Sequence, residues 1–181
     1  MLLKEGNIRL RAIEPSDATV VYQWENDPAI WSVSERLAPL SSFEIEQFIL
    51  NSQDIFGARQ LRLMIDLYNG DQPVTIGTSD IYDFDPFHLR AGIGIFIEEK
   101  QRNKGFARTA ITLTEEYCFE ILGLHQIYCL ISAENNASIR LFESLNYRKT
   151  GCKTEWIKKG DLFIDQLQYQ LNKTDFNQRK R

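Results

Sequence analysis

The sequence predicts a mixed α/β (α+β) domain, with a mostly antiparallel central sheet flanked by helices and one parallel strand pair. Three stretches carry that reading. The apolar run Gly92-Ile93-Gly94-Ile95-Phe96-Ile97 passes through a glycine loop into a long amphipathic segment, and then into a second apolar run at 126–131. That is the strand, helix, strand order of a parallel crossover. Ahead of it, residues 61–66, 74–82 and 89–97 are separated by short turn sequences, as in an antiparallel meander. Behind it, residues 148–171 fold about Lys158-Lys159-Gly160-Asp161 as a last hairpin.

Taken in order, residues 8–13 alternate as a half-buried strand, and Glu14-Pro15-Ser16-Asp17 starts a helix with proline in its first turn, where a missing N–H does no harm. That helix turns Val20, Val21 and Trp24 inward and stops at Asn26-Asp27-Pro28, because the residue before proline is pushed out of the helical region. Residues 29–40 are irregular and carry Trp31, Glu35 and Pro39. A loop of that length in a small domain often serves function. Ser41-Ser42-Phe43-Glu44 is a capping box that opens a short helix through Phe43, Gln47, Phe48 and Leu50.

Asn69-Gly70-Asp71 has the chemistry of a hairpin turn, and Asp83-Phe84-Asp85-Pro86 turns the chain into the strand 89–97. If that second turn sets the register, Asp80 lies opposite Gly92–Gly94. After the loop, Ala107, Ala110, Ile111, Cys118, Ile121 and Leu122 recur at helical spacing up to Gly123. Asn135 or Asn136 caps another helix with Ile139, Leu141, Phe142 and Leu145 inward, and Asn146 is its left-handed exit. Residues 1–171 read as one domain, followed by a polar, fraying tail at 172–181.

Composition excludes several classes. With 181 residues and a net charge of −4, the chain lacks the positive charge on which non-specific nucleic-acid binding depends. No apolar run approaches the ~20 residues of a membrane helix, and the first residues lack a signal-peptide pattern. The expected compartment is the cytoplasm. The three cysteines, Cys118, Cys129 and Cys152, read as reduced packing residues, and no metal site is expected from them or from His88 and His125.

The loop itself is the first functional signal. A strand that enters a helix through a short loop leaves the first-turn N–H groups without partners, and the helix dipole adds partial positive charge. Gly105 lets the backbone approach a ligand, Ala107 keeps the next turn small, and Arg102, Lys104 and Arg108 add charge. That end suits an anion. The chain contains no Gly-x-x-x-x-Gly-Lys-Ser/Thr, and no Gly-x-Gly-x-x-Gly follows a strand.

Arg102-Asn103-Lys104-Gly105-Phe106-Ala107 resembles the Arg/Gln-x-x-Gly-x-Gly/Ala loop of the GNAT superfamily of N-acetyltransferases. A second stretch, Glu134-Asn135-Asn136-Ala137-Ser138-Ile139-Arg140-Leu141-Phe142 with Leu145-Asn146-Tyr147, resembles that family's Asn…Tyr…Gly-Phe helix at the expected distance. The opening 8–17 and the stretch 156–165 are similar to the branch with ribosomal-protein N-terminal and spermidine N-acetyltransferases.

The resemblance implies a splayed parallel strand pair and acetyl-CoA as co-substrate. Ile95, Phe96 and Ile97 would offer backbone groups to the pantetheine arm. Arg102, Asn103, Lys104, Gly105, Phe106 and Ala107 would hold the pyrophosphate, and Asn135 and Phe142 would reach the cofactor from the second helix. The resemblance also exposes two departures. Many members carry a tyrosine acid where this chain has Phe142, and a glutamate where it has Gly92.

An alkylammonium has no lone pair with which to attack a thioester, so a base is needed, and the nearest candidates are Asp80 and Tyr82, which share a strand face. The expected reaction is direct transfer to a primary amine in a ternary complex. A small polyamine or diamine leads over a protein N-terminus, because Asp80, Asp83, Asp85, Glu98 and Glu99 cluster near the predicted acceptor side. A protein N-terminal acetyltransferase, and an acyl-CoA-binding module without chemistry, stand as alternatives. A homo-oligomer is compatible with all three.

Overall fold

The strands are β1 (Lys4–Glu5), β2 (Ile8–Ala12), β3 (Leu61–Tyr68), β4 (Pro73–Asp85), β5 (Arg90–Ile97), β6 (Gln126–Ser132), β7 (Arg148–Lys159) and β8 (Leu162–Asn172). In the computed structural model, which describes residues 3–28, 38–51, 54–70 and 72–180, they join in one sheet of order β1-β2-β3-β4-β5-β6-β8-β7. Every pairing is antiparallel except that of β5 with β6. The described helices are α1 (Ala18–Glu25), α2 (Ser42–Asn51), α3 (Ile55–Ala58), α4 (Phe106–Glu116), α5 (Asn136–Ser144) and α6 (Lys173–Arg179). The mixed sheet flanked by helices that the sequence predicts is the one observed.

Local chemistry explains where the elements begin and end. Glu14 and Asp17 cap each other reciprocally, so Pro15–Asp17 forms a single tight turn and the regular helix begins only at Ala18. Arg11 holds Asp17 through Nη1 and Nη2, at 2.7 and 2.8 Å, and Asp66 through Nε at 2.8 Å. That cluster ties α1 to β2 and β3. The capping box at α2 is formed, with the Glu44 amide donating to Ser41 Oγ at 3.1 Å and the Ser41 amide to Glu44 Oε2 at 2.7 Å. The buried face of α2 is Ile45 and Ile49, while Phe43 and Leu50 are exposed. Trp31, Glu35 and Asp71 lie outside the described residues.

Two boundaries shift. β4 runs on to Asp85 with a register change after Tyr82, and the turn is made later, where Asp85 Oδ1 accepts the amides of Phe87 and His88 at 3.1 and 2.9 Å. The amphipathic segment after the loop is regular to Glu116 and then widens over 117–121, with the Leu122 amide donating to Tyr117 O at 3.0 Å before Gly123 exits at φ 66°. Asn146, at φ 65°, is the left-handed exit of α5 as expected.

The tail does not fray as expected. It forms α6, capped by Asn172, with Phe176 buried and stacked on Phe119 at 4.7 Å between ring centres. Arg179 pairs with Glu115, a fully buried carboxylate on α4. Cys118 and Cys129 are buried packing residues, but Cys152 is exposed on β7. The reason is that β7 is the outer strand of the sheet and keeps neither face covered. Among the described residues no helix is long and apolar enough to cross a membrane.

Candidate active site

The parallel pairing of β5 and β6 is short. It runs only through Arg90↔Gln126, Ala91↔Ile127 and Gly92↔Tyr128. Beyond Gly92, among the described residues, β5 pairs with β4 alone, from Ile93↔Ile81 to Ile97↔Gly77, while β6 pairs with β8 through to Ser132. The two strands therefore part, and β5 presents a row of unpaired backbone groups toward β6. Unpaired backbone groups need a partner, and an extended chain lying along the edge supplies one. A cleft of about 500 Å³ fills the gap, walled by Gly94, Ile95 and Phe96 on one side and by Leu130, Asn135 and Phe142 on the other.

The loop Arg102–Ala107 follows the open end of β5. Gly105 takes φ 84° as the residue ahead of α4, no side chain caps the helix, and a Cβ built on Gly105 meets nothing within 4 Å. The first helical bond that α4 makes back to this residue is from the Thr109 amide to Gly105 O. The preceding amides have no carbonyl partner within the helix and stand at the positive end of an 11-residue helix, an arrangement that suits an anion. Arg102 Nε donates to Ile97 O at 2.9 Å, so its stem latches the loop to β5. Arg108 is drawn aside to the carbonyl of Ser144 at 3.1 Å, and Lys104 rests on Gln101 at 2.9 Å. These residues fit a pyrophosphate, held chiefly by main-chain amides.

A second cavity, of about 420 Å³, opens on the other side of β4, between α2 and the ends of α1 and β3. It shares Glu25, Arg62, Asp80 and Tyr82 with the cleft. Arg62, which the sequence alone does not single out, is the hub. Its Nε and Nη2 bond to both oxygens of Asp80, at 2.6 and 3.0 Å, and its Nη1 bonds to Glu25 Oε1 at 2.5 Å. Burial alone would weaken the Arg62 charge, but Asp80 and Glu25 outweigh it and push the guanidinium pKa up. Its face lies 5.1 Å from the Phe48 ring centre. Arg62 is the direct cross-strand partner of Asp80, across a register that shifts at Ile65/Asp66; the sequence signals only that a charged residue in a strand covered on both faces must be paired, not with what.

The register expectation for the catalytic candidates holds, with Asp80 opposite Gly94 and Tyr82 opposite Gly92. A Cβ built on Gly92 would overlap the Tyr82 ring, so the glycine is required by the tyrosine that lies over it. The structure brings Asp80, Tyr82, Ile95, Phe96, Asn135 and Phe142 into one cleft. Ile97 is instead buried against α4, and Arg102 to Ala107 stand beyond the cleft mouth. Asn135 spends its Oδ1 capping α5, on the Ser138 amide at 3.1 Å. The acidic gathering inferred from sequence does not form. Asp83 and Asp85 sit at one end of β5, and Glu98 and Glu99 lie past the other, roughly 23 Å apart at 3.3 Å per residue. The carboxylates that do converge on the second cavity are Glu25, Glu44 and Asp80.

Comparison with known proteins gives the class. The chain belongs to the GNAT family of acetyltransferases, whose domain model matches residues 7–148, and it is an N-acetyltransferase. Spermidine N(1)-acetyltransferase of Vibrio cholerae is 30% identical over 147 residues, covering 81% of this chain and 82% of that one. The uncharacterized N-acetyltransferase p20 of Bacillus licheniformis is 28% identical over 170 residues, 93% of this chain and 94% of its own. Among solved structures, the Vibrio cholerae spermidine N-acetyltransferase in complex with CoA and spermine superposes with a TM-score of 0.83 at 25% identity, over 96% of this chain and 99% of that one.

Proposed function

We propose that the protein transfers the acetyl group of acetyl-CoA to a primary amine of a small polyamine or diamine, directly and in a ternary complex. One observation carries this reading: the cleft between the parting strands and the carboxylate-lined cavity share a wall made of Glu25, Arg62, Asp80 and Tyr82, so a donor site and an acceptor site lie side by side. The spermidine and spermine named with the Vibrio cholerae relatives support the acceptor class.

The residues divide the work. The amides of Gly105, Phe106 and Ala107 would hold the pyrophosphate, and the open edge of β5 from Ile95 to Ile97 would pair with the amides of the pantetheine arm. When bound, acetyl-CoA supplies an activated acyl group on a thiol leaving group. In the second cavity Glu25, Glu44 and Asp80 carry three carboxylates against the single guanidinium of Arg62, which favours a cationic guest. Asp80, directly or through one water, takes the ammonium proton, because a neutral nitrogen is needed for attack. Positioning supplies much of the rest, up to roughly 7–11 kcal/mol of a bimolecular barrier. No cysteine in the cleft suits a covalent route: burial pushes the Cys129 thiol up, away from the thiolate form that a nucleophile needs.

The test is a thiol-release screen with acetyl-CoA against spermidine, spermine, short diamines and a peptide with a free N-terminus. Release with the di- and polyamines, and little with the peptide, is the expected result. Release with the peptide alone would replace the polyamine reading with protein N-terminal acetylation.

A further inference from the structure

We propose that Tyr82 donates the proton to the leaving thiolate, the role that Phe142 cannot fill. The proposal rests on the acetyl-transfer reading above. Tyr82 leaves β4 opposite Gly92, and its ring occupies the space where any side chain at 92 would stand. Gly92 is the last residue at which β5 and β6 pair. From there the side chain reaches β6: the ring meets Tyr128 edge-on at 5.9 Å, and the hydroxyl lies beside the Leu130 amide, two residues past the fork. Tyr82 thus spans the vertex of the parting strands, from β4 over β5 to β6. Among the described residues it is the only phenol lining the cleft and the second cavity.

Other donors fail on placement. Phe142 lines the cleft but carries no exchangeable proton. Tyr147 stands edge-on to Phe142 at 5.0 Å, is 3% exposed and does not line the cleft. Cys129 borders the cleft but is 2% exposed, its side chain packed with the core. The Tyr82 phenol is pushed up from its ordinary value, first by burial and then by Tyr128, Cys129 and Asp83, with the Leu130 amide acting against them. It is neutral at physiological pH, an acid rather than the base that its place beside Asp80 suggests. As the amine nitrogen bonds to the carbonyl carbon, the carbon–sulfur bond breaks, and the sulfur keeps the electron pair and takes the Tyr82 proton. The proton that the nitrogen sheds on becoming an amide restores the phenol, directly or through water.

Tyr82→Phe keeps the ring over Gly92 and removes only the hydroxyl. We expect unchanged Tm and CoA affinity, a kcat lower by on the order of 10²-fold, and at least a tenfold recovery when Phe142→Tyr is added. A measurement without turnover reads the same contact: the ultraviolet absorbance of the thiolate of enzyme-bound CoA should rise at a pH about one unit lower in the wild type than in Tyr82→Phe. Full kcat in Tyr82→Phe, or superimposed thiolate titrations, overturns the proposal. A wild type that binds CoA but releases no thiol with any amine overturns the acetyl-transfer reading instead, and the thiolate titration then still decides whether Tyr82 touches the sulfur.

Discussion

Gly105 holds φ 84° at the head of α4 with open space where a side chain would point. Valine there is strained by its β-branch and fills the approach of a phosphate to the amides. Gly105→Val should therefore weaken acetyl-CoA binding at least tenfold, about 1.4 kcal/mol, in a folded protein, as isothermal titration can show. Asp80→Asn keeps shape and loses charge. It should leave CoA affinity unchanged and lower the rate by on the order of 10²-fold, with partial recovery at high pH where more amine is neutral. Full activity at pH 7 would remove Asp80 from the proton path. Asp17 is held below the ordinary carboxylate range, because the Arg11 and Glu14 hydrogen bonds outweigh the opposing effect of burial. Its unfolded value is near 3.9, so its stabilisation is complete above that pH and is lost as pH falls toward the lower folded value. Asp17→Asn should lower stability at pH 7 and flatten its decline below about pH 5, and denaturant melts at several pH values that stay parallel would contradict this. Gly105 was legible because its demand is local to one loop. Arg62 was not, because its meaning lies in partners 18 and 37 positions away.

Among the elements, α6 shows where pattern reading stops. Seven residues with Phe176 as their single large apolar side chain give too little periodicity to announce a helix. The anchor is nevertheless complete: Phe176 stacks on Phe119, Arg179 reaches buried Glu115, and Lys180 pairs with Glu116 and Glu120 at 2.8 and 2.7 Å. Glu115 and Phe119 belong to the segment that begins at the Arg102–Ala107 loop, so α6 braces it from behind. Phe176→Ala should cost about 3–5 kcal/mol and lower Tm by calorimetry, whereas a frayed tail would show no change. The strand, loop, helix, strand unit was legible for the opposite reason. Its apolar runs are long, its loop has a glycine, and right-handed crossovers leave one topology to choose. The turn after β4 moved by a few residues, because Asp85 captures two amides that no spacing rule assigns.

At the scale of the molecule, the sheet is continuous through seven pairings and opens at one place, where β5 and β6 cease to pair after Gly92. Inserting β8 between β6 and β7 gives β6 its own antiparallel partner, so the strand stays supported after it leaves β5. The opening shares Glu25, Arg62, Asp80 and Tyr82 with a carboxylate-lined cavity across β4, and a ternary complex requires two sites that adjoin in this way. The sequence implied the open strand pair only through family resemblance, since divergence of two strands is a tertiary property with no periodic mark. The central claim, direct transfer between two ligands held side by side in the adjoining cavities, is tested most directly by initial rates of thiol release with acetyl-CoA and spermidine both varied. Intersecting double-reciprocal lines are predicted, with release dependent on the amine. Parallel lines, or no amine-dependent release, would contradict the account.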